Sequence, residues 1–282
     1  MMKQALFLLL GILLCLAGCD SNMLEAISDD SSSSAELTEA RMALDDGNYQ
    51  KVINILEPGY DASNPDPETV RLLASAYMGL AGVDLTYVLE NSEESEDGSF
   101  DAIASALSLT VTGQNSEARF IPAGSADDML ANLEQARDYL NDLMNYYEGL
   151  GLSPDQDDTV QAGMVSAMHF IIQIGAAASD VTGQDIPLNK AAYREVFPDD
   201  PDLDTLLDAF ADSLDPESES LREDLTDVSE AVVTLVEVQG ADEELAEEFD
   251  EFLTELLGGG DIDSFSGQRA ADYVYSELLG YN

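Results

Sequence analysis

From Ala35 to the C-terminus the apolar residues recur at three- and four-residue spacing, while the two-residue alternation of a half-buried strand is scarce and short. An α-helix turns once in about 3.6 residues, so this spacing gathers apolar side chains into one stripe and leaves the carboxylates opposite. The chain is therefore expected to be all-α. Leu37, Ala40, Ala43 and Leu44 share the face of a first helix, Gly47-Asn48 turns the chain, and Tyr49, Val52, Ile53 and Leu56 line a second. Pro58-Gly59 stops that helix. Asn64-Pro65-Asp66-Pro67 makes a turn, and Pro67 suits the first position of a third helix carrying Val70, Leu73, Ala74, Tyr77 and Leu80.

Farther along, Asn91 to Ser99 is an acidic stretch without apolar period, inside an irregular insertion expected over about 91–126. Met129, Leu133, Ala136, Leu140, Leu143 and Tyr147 then define a long helix that ends within Gly149 to Pro154. Thr159 to Ser179 follows without one Asp, Glu, Lys or Arg. Its length would allow a membrane span. Gln161, His169, Gln173 and the small residues Gly163, Ala167, Gly175 and Ala176 favour a central helix packed on all sides. Three one-sided helices complete the body: Leu203 to Phe210, Leu221 to Leu235 and Leu245 to Leu256. Gly258-Gly259-Gly260 stops the last of these, and Gln268 to Leu279 forms a short cap. No compositional break divides this stretch, so residues 36–282 are expected to form one helical domain.

The first eighteen residues belong to a different class of segment. Lys3 supplies the charge of an n-region, and the apolar run from Ala5 to Leu16 spans about twelve residues, short of the roughly 18 to 20 of a permanent membrane helix. Leu16-Ala17-Gly18-Cys19 resembles the bacterial lipobox. The resemblance implies cleavage before Cys19, lipidation of its thiol by a diacylglycerol with further acylation such as palmitate, and a cell-envelope location facing the periplasm. Asp20 resembles the inner-membrane retention signal of enteric bacteria; other lineages follow other rules, so either membrane fits. Each buried methylene adds about 0.8 kcal/mol of membrane affinity, and two chains anchor stably. Residues 19–35, with Ser28-Asp29-Asp30-Ser31-Ser32-Ser33-Ser34, are too polar to bury and are expected to form a lipidated tether. Cys15 leaves with the signal, so no free thiol remains for disulfide or nucleophile chemistry.

Removal of Lys3 leaves nine basic residues against 58 acidic ones, a net charge of 9 − 58 = −49. Nucleic acid is a poor partner for such a surface, because binding phosphates requires clustered cations. Yet 45% of the chain is hydrophobic, enough for a core. The acidity then reads as the skin of a folded domain in a saline setting, since the carboxylates run along the whole length; recruitment of a basic partner is the alternative.

Ala40 and Ala74, and likewise Ala43 and Tyr77, lie 34 residues apart. With Gly47-Asn48-Tyr49 opening the second helix, residues 36–90 resemble a tetratricopeptide module of a bacterial lipoprotein. Val52 and Gly59 depart from the family pattern. The resemblance implies stacked helical hairpins and a concave groove lined by Leu37, Arg41, Leu44, Arg71, Ser75 and Met78. Two guanidinium groups there would hold a peptide carboxylate or an acidic small molecule. The bland alternative pairs Arg41 with Asp45 and Arg71 with Glu68 along their own helices.

Reactive chemistry is hard to find. His169 is the only histidine and is expected to be a hydrogen-bonded core residue. Asp200, Asp202 and Asp204 alternate like the start of a calcium loop, but Thr205 and Ala211 occupy the places of its glycine and bidentate glutamate. No nucleophile motif, phosphate loop or dinucleotide fingerprint is present, and neither an enzyme nor a cofactor is expected. The leading expectation is a non-enzymatic interaction scaffold held on a membrane by lipid. The alternative resembles the tetratricopeptide lipoproteins that partner TRAP-type transporters, with a small-molecule pocket under the insertion.

Overall fold

The computed structural model describes residues 32–82, 120–197, 202–237 and 243–281. The expected signal, Cys19, most of the tether and the Asn91–Ser99 stretch lie outside these residues. What is described is built almost wholly of helices, as the apolar period requires.

Helix α1 (Ser32–Asp45) begins inside the expected tether, its serines forming the first turn, with the Thr38 hydroxyl donating to the Ser34 carbonyl at 2.8 Å. Gly47, at φ +68°, then reverses the chain; its N–H donates to the Leu44 carbonyl and that of Asn48 to the Ala43 carbonyl. Helix α2 (Tyr49–Leu56) returns along α1 and buries Val52, Ile53 and Leu56. Helix α3 (Pro67–Leu80) starts where Pro67 predicts, capped by the Asp66 carboxylate on the Thr69 N–H at 2.9 Å. Gly79 is required on α3 because the Tyr49 ring lies where a Cβ would project.

The 34-residue period stops there. Helices α4 (Ala126–Leu150) and α5 (Gln156–Thr182) are 25 and 27 residues long, too long for the paired helices of such a repeat. α3 packs on α4, and α4 on α5. α5 contains the uncharged stretch and is the centre of the body. It is long and apolar enough to cross a membrane, but 72% of its most apolar window is buried in protein contacts. Its glycines set the distances to its neighbours: a Cβ on Gly163 would strike Ala231, and one on Gly175 would strike Ile186 and the Pro187 carbonyl.

Two features escape the helical pattern. Strand β1 (Phe120–Ile121) pairs antiparallel with β2 (Ile186–Pro187), with Phe120 opposite Pro187 and Ile121 opposite Ile186. The end of the expected insertion is thereby fixed to the far end of α5. Helix α6 (Lys190–Val196) follows, capped by Asn189. Helices α7 (Leu203–Leu214), α8 (Ser218–Glu237) and α9 (Glu243–Leu257) correspond to the three one-sided stretches. α10 (Gly267–Tyr273) continues into a π turn, Val274–Leu278, and closes the core over α7. Gly267 permits that closure, since a Cβ there would collide with the Ala211 carbonyl. Phe170, Phe252, Phe265 and Tyr273 pack edge to face where α5, α9 and α10 meet.

Candidate functional site

The N-terminal groove residues divide by helix. On α1, Leu37 and Leu44 pack half-buried against the core, and Arg41 stays 51% exposed in an ion pair with Glu68. On α3, Met78 is buried and Arg71 and Ser75 face α5. Arg71 Nε donates to Asp158 Oδ1 at 2.5 Å, its Nη2 lies 3.3 Å from Asp155 Oδ2, and Gln161 Nε2 donates to Ser75 Oγ at 3.0 Å. The start of α5 therefore occupies the α3 face that the repeat register assigns to a partner. The pairings along single helices, Arg41 with Asp45 and Arg71 with Glu68, give way to pairs between helices. Asp158 explains the change at Arg71: its side chain is fully buried, and a buried carboxylate requires a cation and hydrogen-bond donors. The Tyr147 hydroxyl donates to its second oxygen at 3.2 Å. The hydrogen bond to Asp158 raises the basicity of Arg71 further.

A second polar tie joins α4, α5 and α8. Arg137 donates to Asp224 Oδ1 at 2.8 Å and to Ser220 Oγ at 3.0 Å, while His169 Nδ1 lies 2.6 Å from Asp224 Oδ2. Beside it, Ser166 Oγ donates to Asp227 Oδ2 at 2.6 Å, and burial raises the Asp227 carboxyl above its ordinary value despite that bond. A carboxylate on histidine Nδ1 is the arrangement that orients a general base. Here the ring is 3% exposed and Asp224 is fully buried, so the contact satisfies a core carboxylate rather than presenting a base to substrate. His169 is the hydrogen-bonded core histidine expected from its neighbours.

A band of phenols fastens the end of α2 to α3 and α4. Glu57 Oε1 accepts from the hydroxyls of Tyr77 at 3.0 Å and Tyr139 at 2.9 Å, and the Tyr60 hydroxyl donates to Asp142 Oδ2 at 2.8 Å. Burial, followed by the Glu57 carboxylate, pushes Tyr77 up to about 12. Tyr60 and Tyr139 meet edge to face at 4.7 Å between centroids, which leaves no opening between the rings.

A cleft of about 550 Å³ separates α9 from the 3₁₀ turn Ile262–Ser264, with Leu253, Leu257 and Ile262 among its lining and Asp250, Asp261 and Asp263 exposed at its rim. Two voids beneath α9 differ in kind: one of about 10 Å³ by Phe170, Ile174 and Tyr273, one of about 20 Å³ by Ile171, Leu225 and Phe249. Both are apolar and hold a single water at most, so they are packing defects rather than ligand chambers. Among the described residues no group of three or more His, Cys, Asp or Glu side chains is placed to hold a metal ion. Asp202 and Asp204 flank the start of α7, and Asp200 lies outside the described residues.

Sequence reasoning missed Arg137, Asp158, Asp224 and the cleft. Asp224 carried a signal, sitting three residues after Leu221 and four before Val228, on the apolar stripe of α8. A carboxylate on such a stripe requires a cation from another helix. No protein-family model, curated protein or solved structure matches the chain.

Proposed function

We propose that this protein is an exported lipoprotein, anchored through Cys19, whose helical body is a non-enzymatic scaffold for a protein or peptide partner of net positive charge. The observation that carries this reading is the direction in which the cations point. Arg41, Arg71 and Lys51 pair with carboxylates of the chain; Arg137 binds Asp224; Arg194 and Arg222 donate to carbonyls of Leu278, Ser218 and Asp263. With these six cations engaged by the chain's own carboxylates and carbonyls, the surface keeps a large excess of carboxylates, which attract a basic partner and speed its encounter. The lipobox-like Leu16-Ala17-Gly18-Cys19 supports the anchor, and the polar residues between Cys19 and the start of α1 support a tether that lifts the body off the bilayer. The histidine and carboxylates most like an acid–base pair are sealed in the core, which favours binding over catalysis.

The test is affinity purification from detergent-solubilised membranes, with mass spectrometry of the protein and small-molecule fractions together. A basic protein or peptide that elutes at high salt is the expected result. A stoichiometric small molecule with no protein partner would replace the scaffold by the solute-handling alternative.

A further inference from the structure

We infer that the cleft between α9 and the Ile262–Ser264 turn is the docking site for a basic, amphipathic segment of the partner protein; this rests on the scaffold reading and names its site. The cleft is built into the chain. Asp250, Leu253 and Leu257 fall at helical spacing on one face of α9. Gly258 and Gly259, at φ +59° and +78°, then reverse the chain so that Asp261 to Asp263 run back beside that face. An L-residue with a side chain is strained in this conformation, which gives the glycine run a role beyond stopping α9.

The opposing wall is braced. The Asp261 carbonyl accepts from the Ser264 N–H at 2.9 Å and from its hydroxyl at 2.6 Å, and Arg222 of α8 reaches the Asp263 carbonyl at 3.2 Å. A cleft held in shape before binding loses less entropy when it is filled. Its chemistry has two parts. Leu253 and Ile262 are half-buried in the free protein and offer apolar surface, while Asp250, Asp261 and Asp263 stand exposed around them. A free metal ion or small cation would use only the rim. A helix with leucine-like residues on one side and Lys or Arg on the other uses both.

Charge selects the source of that segment. A second copy of the processed chain carries the same net charge of −49 and is repelled. The stretches of the processed chain outside the described residues, 19–31, 83–119, 198–201 and 238–242, are each net acidic, so none matches the rim. The complementary occupant is a segment from a different, basic protein.

The test uses the full lipidated chain in neutral-lipid nanodiscs and a dye-labelled synthetic helix of Leu and Lys, with a Glu-for-Lys peptide and empty nanodiscs as controls. The Leu/Lys helix should bind and the Glu version should not. Leu253→Ser with Ile262→Ser should weaken binding by about tenfold or more, and part of the wild-type affinity should survive molar salt. Thr254→Arg, an exposed change within the cleft that spares the core, should weaken it comparably. Asp127→Asn with Asp128→Asn, exposed carboxylates on α4, should leave it within about twofold. Equal weakening by the α4 pair, or wild-type binding by the serine and Thr254→Arg variants, would overturn the site. On solubilised membranes, a partner held undiminished by Thr254→Arg overturns the cleft and spares the scaffold. No partner on the wild-type chain overturns the scaffold, while the peptide data still decide the cleft.

Discussion

Replacing Arg71 by alanine should destabilise the fold far more than the loss of a surface arginine does, because it strands Asp158. The Asp158 side chain is fully buried, and Arg71, 33% exposed, supplies its cation. Breaking a buried pair from one side costs about 3 to 5 kcal/mol. Two features reduce that figure here. Asp158 is the third residue of α5, where the helix N-terminus favours a negative charge by about 0.3 to 1 kcal/mol, and the Tyr147 hydroxyl remains bonded to it. The partly exposed arginine is also screened by solvent. The expected cost is about 2 to 4 kcal/mol, measured by guanidinium unfolding followed by circular dichroism. Asp158→Asn removes the buried charge, so in that background Arg71→Ala should cost under about 1 kcal/mol, a coupling of about 2 kcal/mol in the double-mutant cycle. Additive effects, or a single-variant cost under about 1 kcal/mol, would refute the argument and return Arg71 to the open groove.

Asp227→Asn should raise the melting temperature at neutral pH. Burial holds the folded carboxyl above its ordinary value, so its contribution is fully present below the unfolded value and lost as pH rises through the folded one. The advantage of asparagine should shrink toward pH ~4; an advantage that grows on acidification would contradict the burial. Gly163→Ala gains about 1 kcal/mol of helix propensity but drives a methyl into Ala231, at about 1 to 3 kcal/mol, so it should destabilise. Gly149→Ala, with open space around it, should stabilise by up to about 1 kcal/mol in the same melts. Raising salt from millimolar to molar should raise the melting temperature as the excess of carboxylates is screened, and a flat curve would mean their repulsion is already compensated.

Local rules made the helices legible. Apolar spacing, Pro67 after Asp66, and Gly47, Gly151 and Gly258 at helix ends are short-range signals, and α1 to α5 and α7 to α10 follow them. The 34-residue offset relates positions on α1 and α3 only, and one and a half hairpins cannot establish an array. The polar ties were not legible because both join residues 87 apart in sequence, Arg71 to Asp158 and Arg137 to Asp224. Helical spacing pairs a charge with its neighbours on the same helix; burial decides instead, and burial is a property of the packed body. The two-residue strands carry too little sequence to show a period. The glycine run was legible as a stop, but not the return of Asp261 to Asp263 along α9, which makes the cleft and is tied to another helix by the Arg222 bond to the Asp263 carbonyl.

The claim on which location, tether and scaffold all depend is that the chain begins, in the cell, at a lipidated Cys19. Intact-mass analysis of the protein extracted from membranes tests it directly. The predicted result is a chain starting at Cys19 with a diacylglycerol on its thiol, and a Cys19→Ala variant that no longer sediments with membranes. An unmodified N-terminus, or a Cys19→Ala chain that stays membrane-bound as firmly as the wild type, would contradict it.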